Sequence, residues 1–376
     1  MKTKRYLSFF LALVMASFCF MSAACSKKKD TNDDSKTHIV TDHNGNQVEV
    51  KNKIDRIVVC DILPLPSVLT VFFDSAEKIV GMNEASMLAA KNGLLGQIYP
   101  EILNASTSFM DGSNVNIEEL AKLEPDVVFY SGSNKELGEQ LRSKGFAAIG
   151  ISVNKWQYNT IETLNNWFSL LGEIFSENEK AEKVAKRSNE IYKLVQDRVS
   201  SIPADQKRRV FFLFQINDTT ITTSGKQFFG QFWSEAIGAV NVGEELTKDN
   251  SVSVNIEQVY TWNPDLIFIT NFNQAYPQDL YDNTIGNYDW SEVDAVKNKQ
   301  VFKMPLGMYR SYTPGADTPI TLLFLAKCAY PDLFSDIDIT KETKDYYKDL
   351  FGITLTDEQA NSIFNPNAAS GNVNIG

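Results

Sequence analysis

Val115-Asn-Ile-Glu-Glu-Leu-Ala-Lys-Leu-Glu-Pro-Asp-Val-Val-Phe-Tyr130 returns later in the chain as Val254-Asn-Ile-Glu-Gln-Val-Tyr-Thr-Trp-Asn-Pro-Asp-Leu-Ile-Phe-Ile269. Each copy reads as a short helix running into a buried strand. Asn116 and Asn255 stand where a side-chain oxygen can accept the free N–H groups of a helix start. Glu119 and Gln258 follow three residues on, which is the capping-box arrangement. Ile117, Leu120 and Leu123 recur at helical spacing, as do Ile256, Val259 and Trp262, so each helix has an apolar face to lay on a sheet. Pro125 and Pro264 stop the helices, because a proline ring restricts the residue before it. Val127-Val-Phe-Tyr130 and Leu266-Ile-Phe-Ile269 are unbroken apolar runs, the pattern of strands covered on both faces. Two copies this far apart are too few for a solenoid. They indicate two lobes of one α/β design.

The sequence around the first copy supports that reading. Thr41-Asp-His-Asn-Gly-Asn-Gln-Val48 has the form of a hairpin with Asn44-Gly45 at its tip. Arg56-Ile-Val-Val-Cys-Asp61 is a core strand, Leu63-Pro-Leu-Pro-Ser67 breaks the chain before a helix reaching Phe73, and Lys78-Ile-Val-Gly-Met82 is a second strand. After the repeat come a helix over 135–144 and a strand over 147–152. Strands alternating with helices at this spacing predict a mainly parallel sheet. From Thr160 to about Ser200 the apolar residues step at three and four with no proline, and a break is expected near Ser176. This stretch reads as a bent helical spine between the lobes. A second α/β unit starts at Arg209-Val-Phe-Phe-Leu-Phe214 and runs through a helix over 228–237, the second copy and a strand over 300–303. Helices over 319–329, 340–351 and 357–364 follow, and the tail after Pro366 reads as disordered.

The first residues are an address. Lys2, Lys4 and Arg5 precede an apolar stretch to about Met21 and then Ser22-Ala-Ala-Cys25, an export signal. The stretch falls short of the roughly 20 residues a spanning helix needs. Cysteine after small residues resembles a bacterial lipobox, so residues 1–24 are expected to be removed and Cys25 lipidated, which places the protein outside the cell membrane on a lipid anchor. Residues 25–37 then form a tether. Losing three cations with the leader makes the chain more acidic than its formal −11. That balance opposes nucleic-acid binding, which needs clustered Lys and Arg. Only Cys60 and Cys328 remain, paired or free. The length exceeds what a single core usually holds.

Taken in order, these pieces resemble the substrate-binding lipoproteins of ABC importers for iron complexes, haem and cobalamin. The markers are the hairpin before Arg56, both Asn-Ile-Glu…Pro-Asp phrases, Thr223-Ser-Gly-Lys226 ahead of a helix ending Glu235-Ala-Ile-Gly238, and Tyr330-Pro-Asp-Leu-Phe334. The resemblance implies two Rossmann-like α/β lobes with mainly parallel sheets, joined by one long helix, with a ligand cleft between them. The implied divisions are residues 38–158 and 203–334 for the lobes, 159–202 for the connecting helix, and 335–376 for a C-terminal helical extension and tail. It also implies an ABC permease and its ATPase as partners of a monomeric binding protein. Glu136 and Glu235, one per lobe, match the acidic residues that dock on the permease. The longer, more apolar 87–111 region and the helices after Phe334 depart from the family pattern.

In open parallel sheets the ligand sits beyond the carboxyl ends of the strands. Pro64, Asn83, Ser131 and Trp156 occupy those loops in the first lobe. Lys226, Phe228, Asn271, Asn273, Tyr309, Arg310 and Tyr312 occupy them in the second. Aromatic faces with a guanidinium suit a bulky chelate or macrocycle carrying acidic groups, since arginine pairs bidentately with carboxylates. Taken with the resemblance, this makes an iron chelate the first expectation, with haem, a corrinoid or a molybdate-type oxyanion as alternatives. His38 and His43, the only histidines, precede the core, which leaves a bare-metal site and histidine-based catalysis without ligands or base. Gly225-Lys226 lacks the first glycine and the Ser/Thr of a phosphate loop. No enzyme activity and no cofactor are expected.

Overall fold

Asp126 and Asp265, the last residues of the two Pro-Asp phrases, make matching contacts in the two lobes. The Asp126 carboxylate accepts the N–H groups of Asp55 and Arg56 at 2.9 and 3.0 Å, and the Arg56 guanidinium returns to the Leu123 carbonyl. In the second copy Asp265 accepts the N–H of Arg209 at 2.8 Å while Arg209 donates to the Trp262 carbonyl. Each clamp ties the entry of the neighbouring strand to the end of the helix within the phrase. The expected N-caps are present, with Asn116 accepting from Glu118 and Glu119 and Asn255 from Gln258. Left-handed residues, Glu124 (φ 45°) and Asn263 (φ 41°), end both helices just before the prolines.

The computed structural model describes residues 36–111, 114–248 and 250–371. The leader, Cys25 and nearly all of the tether lie outside the described residues. The first lobe comprises β1 (Thr37–Thr41), β2 (Gln47–Lys51), β3 (Ile57–Val59), α1 (Leu65–Phe73), β4 (Ile79–Met82), α2 (Glu84–Asn92), α3 (Leu94–Ile98), β5 (Met110–Asp111), β6 (Asn114–Val115), α4 (Ile117–Ala121), β7 (Val127–Ser131), α5 (Lys135–Ser143) and β8 (Ala148–Ile151). Its sheet is parallel in the order β4-β3-β7-β8. Both faces are covered: Ile57, Val59, Val127 and Phe129 face one apolar cluster, while Val58, Val128 and Tyr130 face another. Pro66 lies in the first turn of α1, where its missing N–H costs nothing, so the proline pair starts the helix instead of delaying it.

The expected bent spine is instead a hairpin of two helices, α6 (Thr160–Phe175) and α7 (Asn178–Val199). Ser176 adopts φ 57° and ends α6, and the chain turns back so that Asn165 meets Asn189 at 3.2 Å. α6 stays with the first lobe, where Trp167 Nε1 donates to Ser152 O at 2.7 Å. α7 is the long connecting helix. Near its start Lys180 caps the end of α1 through Phe72 O at 2.6 Å, and near its end Gln196 donates to Ala236 O at 2.6 Å in the second lobe.

The second lobe follows as β9 (Arg209–Leu213), β10 (Gln215–Ile216), β11 (Ile221–Ser224), α8 (Phe229–Ala236), β12 (Val240–Asn241), β13 (Ser251–Val254), α9 (Ile256–Trp262), β14 (Leu266–Ile269), α10 (Pro277–Tyr281), α11 (Asp294–Lys297), β15 (Val301–Lys303) and α12 (Thr318–Ala329). Its main sheet is parallel in the order β12-β9-β14-β15, with a small antiparallel sheet, β10-β11-β13, beside it. The extension forms α13 (Ile339–Phe351) and α14 (Asp357–Phe364). The tail overturns the disorder expectation as far as Gly371: Ala368–Gly371 is a helical turn with Ser370 only 1 % exposed. Cys60 and Cys328 are unpaired. No helix among the described residues is long and apolar enough to cross a membrane.

The β1–β2 hairpin docks on the first-lobe sheet. Asp42 accepts the N–H of Gly150 at 2.9 Å, Asn44 donates to Gly132 O at 3.0 Å, and His43 Nδ1 accepts the N–H of Ser152 at 3.1 Å. Accepting that bond requires a neutral ring. Burial, helped by the nearby Lys155 charge, lowers the His43 pKa to about 4 from 6.5. Because the folded value lies below the unfolded one, the neutral ring contributes stability that is complete above about pH 6.5 and lost as pH falls towards 4. His43→Gln should therefore flatten the acid side of the stability profile, by on the order of 2 kcal/mol between pH 7 and 4. The check is denaturant unfolding of both proteins across that range; a difference independent of pH would refute the assignment.

Candidate functional site

The carboxyl ends of β9, β14 and β15 deliver Phe214, the 270–273 loop and the 304–312 loop to one place, where α8 adds Phe228. Phe214, Phe228 and Tyr312 pack ring against ring at 5.4 to 5.6 Å between centroids. Phe272 joins them through Phe214 at 5.2 Å. Tyr312 is held by the N–H of Gly230, which donates to its hydroxyl at 3.1 Å, and by Trp233 Nε1, which donates to its carbonyl at 2.9 Å. Burial pushes both the Tyr309 and Tyr312 hydroxyls up from their usual pKa, so they stay protonated.

Arg310 sits beside this cluster and is 1 % exposed. Its guanidinium lies over Phe272 at 5.2 Å and Tyr309 at 5.5 Å. It donates from Nη1 to the Tyr309 hydroxyl at 3.2 Å and from Nε to the Ser370 carbonyl at 2.9 Å, and Nη2 reaches the same carbonyl. Arg310 forms no ion pair among the described residues. A buried cation served only by neutral acceptors is an expensive arrangement. Two further polar atoms nearby lack partners. Asn271 uses its amide N–H groups on Met304 O (2.7 Å) and Pro305 O (2.8 Å), which leaves Oδ1 buried and unpaired. Ser311, whose N–H also reaches Pro305 O, has an unpaired buried hydroxyl.

The first lobe meets these groups through two segments. The long 87–111 region holds α2 and α3, and the N–H of Leu94 donates to Gly307 O at 3.1 Å across the lobe boundary. Tyr158 meets Phe228 at 5.7 Å and Phe229 at 5.0 Å. The extension props the Arg310 loop from outside: Tyr346 donates to Ala316 O at 2.7 Å and the Tyr347 hydroxyl bonds Asp317. Asp317 also accepts from the N–H of Met308 at 2.8 Å, and burial pushes its carboxyl up to about 7. Lys303, another buried cation the sequence did not single out, gives its three protons to the carbonyls of Thr270, Asn273 and Ala275 at 2.8 to 2.9 Å, and burial lowers it to about 7. A lysine closing an apolar strand before Met-Pro was the available signal.

Of the residues singled out from sequence, Phe228, Asn271, Asn273, Tyr309, Arg310 and Tyr312 come together. Asn273 is nonetheless engaged with its own loop, donating to Phe214 O at 2.9 Å and accepting from Ala275. The rest have local duties. Pro64 precedes the first turn of α1 and Asn83 caps α2. The Ser131 hydroxyl pairs with that of Ser133, and Trp156 packs edge-on against His43 at 5.0 Å under the hairpin. Lys226 is exposed. Glu136 and Glu235 are exposed on α5 and α8. A hollow of about 390 Å³ lined by Arg208, Asp265, Asp294 and Gln300 lies at the opposite, strand-entry edge of the second sheet, away from the converging loops.

This architecture is shared with known proteins. The family model for periplasmic binding proteins matches residues 76–306. A crystal structure of a periplasmic solute-binding protein from Veillonella parvula is 31 % identical, covers 88 % of this chain and 97 % of its own, and superposes with a TM-score of 0.77. The molybdate-binding protein MolA of Haemophilus influenzae is 27 % identical over 86 % of this chain and 93 % of its own length. Its molybdate-bound structure superposes with a TM-score of 0.69, covering 85 % of this chain and 99 % of that one, at 26 % identity. An ABC transporter substrate-binding lipoprotein of Bacillus subtilis, YvrC, is 25 % identical over 89 % of this chain and all of its own length. This chain thus belongs to the periplasmic binding protein family and is the substrate-binding component of an ABC importer, a two-lobed carrier and not an enzyme.

Proposed function

We propose that the protein captures a compact oxyanion of the molybdate type at Arg310 and hands it to the permease. The carrying observation is the Arg310 guanidinium: 1 % exposed, without a carboxylate partner among the described residues, and next in the chain to Ser311, whose buried hydroxyl is unpaired. A tetrahedral dianion would use the guanidinium fork and the hydroxyl, and charge-assisted bonds of this kind are roughly twice as strong as neutral ones. The similarity to MolA supports the same class. An iron chelate, the first expectation from sequence, is now the less favoured reading. The rings of Phe214, Phe228, Phe272 and Tyr312 pack on one another and do not offer an open flat face to a large ligand. The lipid anchor at Cys25 and docking through Glu136 and Glu235 complete the proposal.

Calorimetry and thermal unfolding against molybdate, sulfate and phosphate, with ferric citrate, haem and cobalamin in parallel, test it. Ligand at 100 times its dissociation constant should add about 2.7 kcal/mol of stability. Response to a chelate or macrocycle with none to any oxyanion would reverse the ligand assignment. For docking, Glu235→Ala should leave affinity unchanged and reduce uptake in cells; full uptake would remove Glu235 from the permease contact.

A further inference from the structure

The C-terminal tail enters the site just described. Ser370 is 1 % exposed, and its carbonyl receives both the Nε and Nη2 donors of Arg310. Residues 366–371 are held by several contacts. The Tyr276 hydroxyl bonds the Pro366 carbonyl, the Asn367 side chain reaches Asn92 of α2 in the first lobe at 3.4 Å, and Asn367 O accepts the hydroxyl of Ser370 at 2.8 Å. Gly371 is buried against the backbone of Asn273 so closely that a Cβ would collide with the Asn273 carbonyl oxygen. One short segment therefore touches both lobes and satisfies the cation that the ligand needs.

We infer that residues 366–371 form a displaceable strap: the Ser370 carbonyl and an incoming oxyanion compete for the same Arg310 donors, so that binding expels the strap. This rests on the oxyanion reading of Arg310. A peptide carbonyl is a neutral acceptor offering one oxygen, whereas an oxyanion offers charge and several oxygens, so the ligand wins once present. Until then the strap spares Nε and Nη2 of Arg310 from burial without an acceptor and bridges the lobes through Asn92. Its cost is affinity, because the observed dissociation constant is the intrinsic one divided by the fraction of molecules with the strap out.

Two variants loosen the strap without touching Arg310. Gly371→Val makes its seat too tight, and Tyr276→Phe deletes the bond to Pro366. With sodium molybdate, sulfate and phosphate as probes, each variant should bind the preferred anion about tenfold more tightly than the parent chain. In the parent chain, hydrogen exchange at the amides of residues 367–371 should speed up when that anion is added, while the Arg310 loop slows. Anion binding with unchanged or slower exchange in the strap, or variants that bind equally or less tightly, would overturn the strap and leave the oxyanion reading standing. Absence of binding by the parent and both variants would overturn the oxyanion reading and the strap with it. Agreement between the two substitutions, one bulky and one conservative, guards against a folding defect in either.

Discussion

Arg310→Ala is expected to abolish high-affinity oxyanion binding while the protein stays folded. Removing one side of a buried, hydrogen-bonded charge pair costs about 2–5 kcal/mol, which corresponds to roughly 30- to 5,000-fold in dissociation constant. The fold should survive because the lost partners are neutral, namely the Ser370 carbonyl and the Tyr309 hydroxyl. Deleting a buried cation also removes its desolvation cost. Arg310→Lys should recover only part of the affinity, since an ammonium cannot reproduce the planar fork. Titration calorimetry of the three proteins decides the matter. Affinity within threefold of the parent in the alanine variant would take Arg310 out of the site.

Trp233→Ala should produce the largest loss of stability. Trp233 is fully buried in α8, and its indole N–H bonds the Tyr312 carbonyl at 2.9 Å. The substitution leaves a cavity and an unpaired carbonyl, for a cost of about 3–5 kcal/mol. Trp233→Phe keeps most of the apolar area and should cost about 1–2 kcal/mol, chiefly for the lost hydrogen bond. Because the indole holds the loop that carries Arg310, the alanine variant should also bind its anion more weakly at temperatures where it remains folded. Denaturant unfolding measures the first effect; a loss under 1 kcal/mol would mean the pocket collapses around the gap.

The duplicated phrase was legible because every feature in it is local. A cap, an apolar stripe, a proline and an unbroken apolar run act within sixteen residues, and β7 and β14 follow from them directly. What the Asp126 and Asp265 carboxylates do was not legible, since their partners lie in strands far off in the sequence. The break at Ser176 was expected, but the reversal of the chain there was missed for a related reason. Periodicity at three and four reports which face is apolar, but the apolar face of α6 is as well served by α7 as by a sheet. The site divides along the same line. Phe228, Tyr312 and Arg310 were identifiable by chemistry and by their loops at strand ends. Asn83 and Trp156 share that chemistry and are spent on a cap and a hairpin. The strap left no trace in composition, because Ser370 and Gly371 are buried through a main-chain carbonyl and a close glycine contact that no residue type announces.

Helix α7 has one more consequence. Lys180 grips the end of a helix in one lobe and Gln196 the end of a helix in the other. A rigid rod of that length is a gauge: at about 1.5 Å and 100° per residue, inserting or deleting even one residue would twist one half of the molecule against its twin as well as shift it. The spacing between the lobes therefore cannot drift in small steps. Loops at the rim can be rewritten while the calliper between the lobes keeps a single setting.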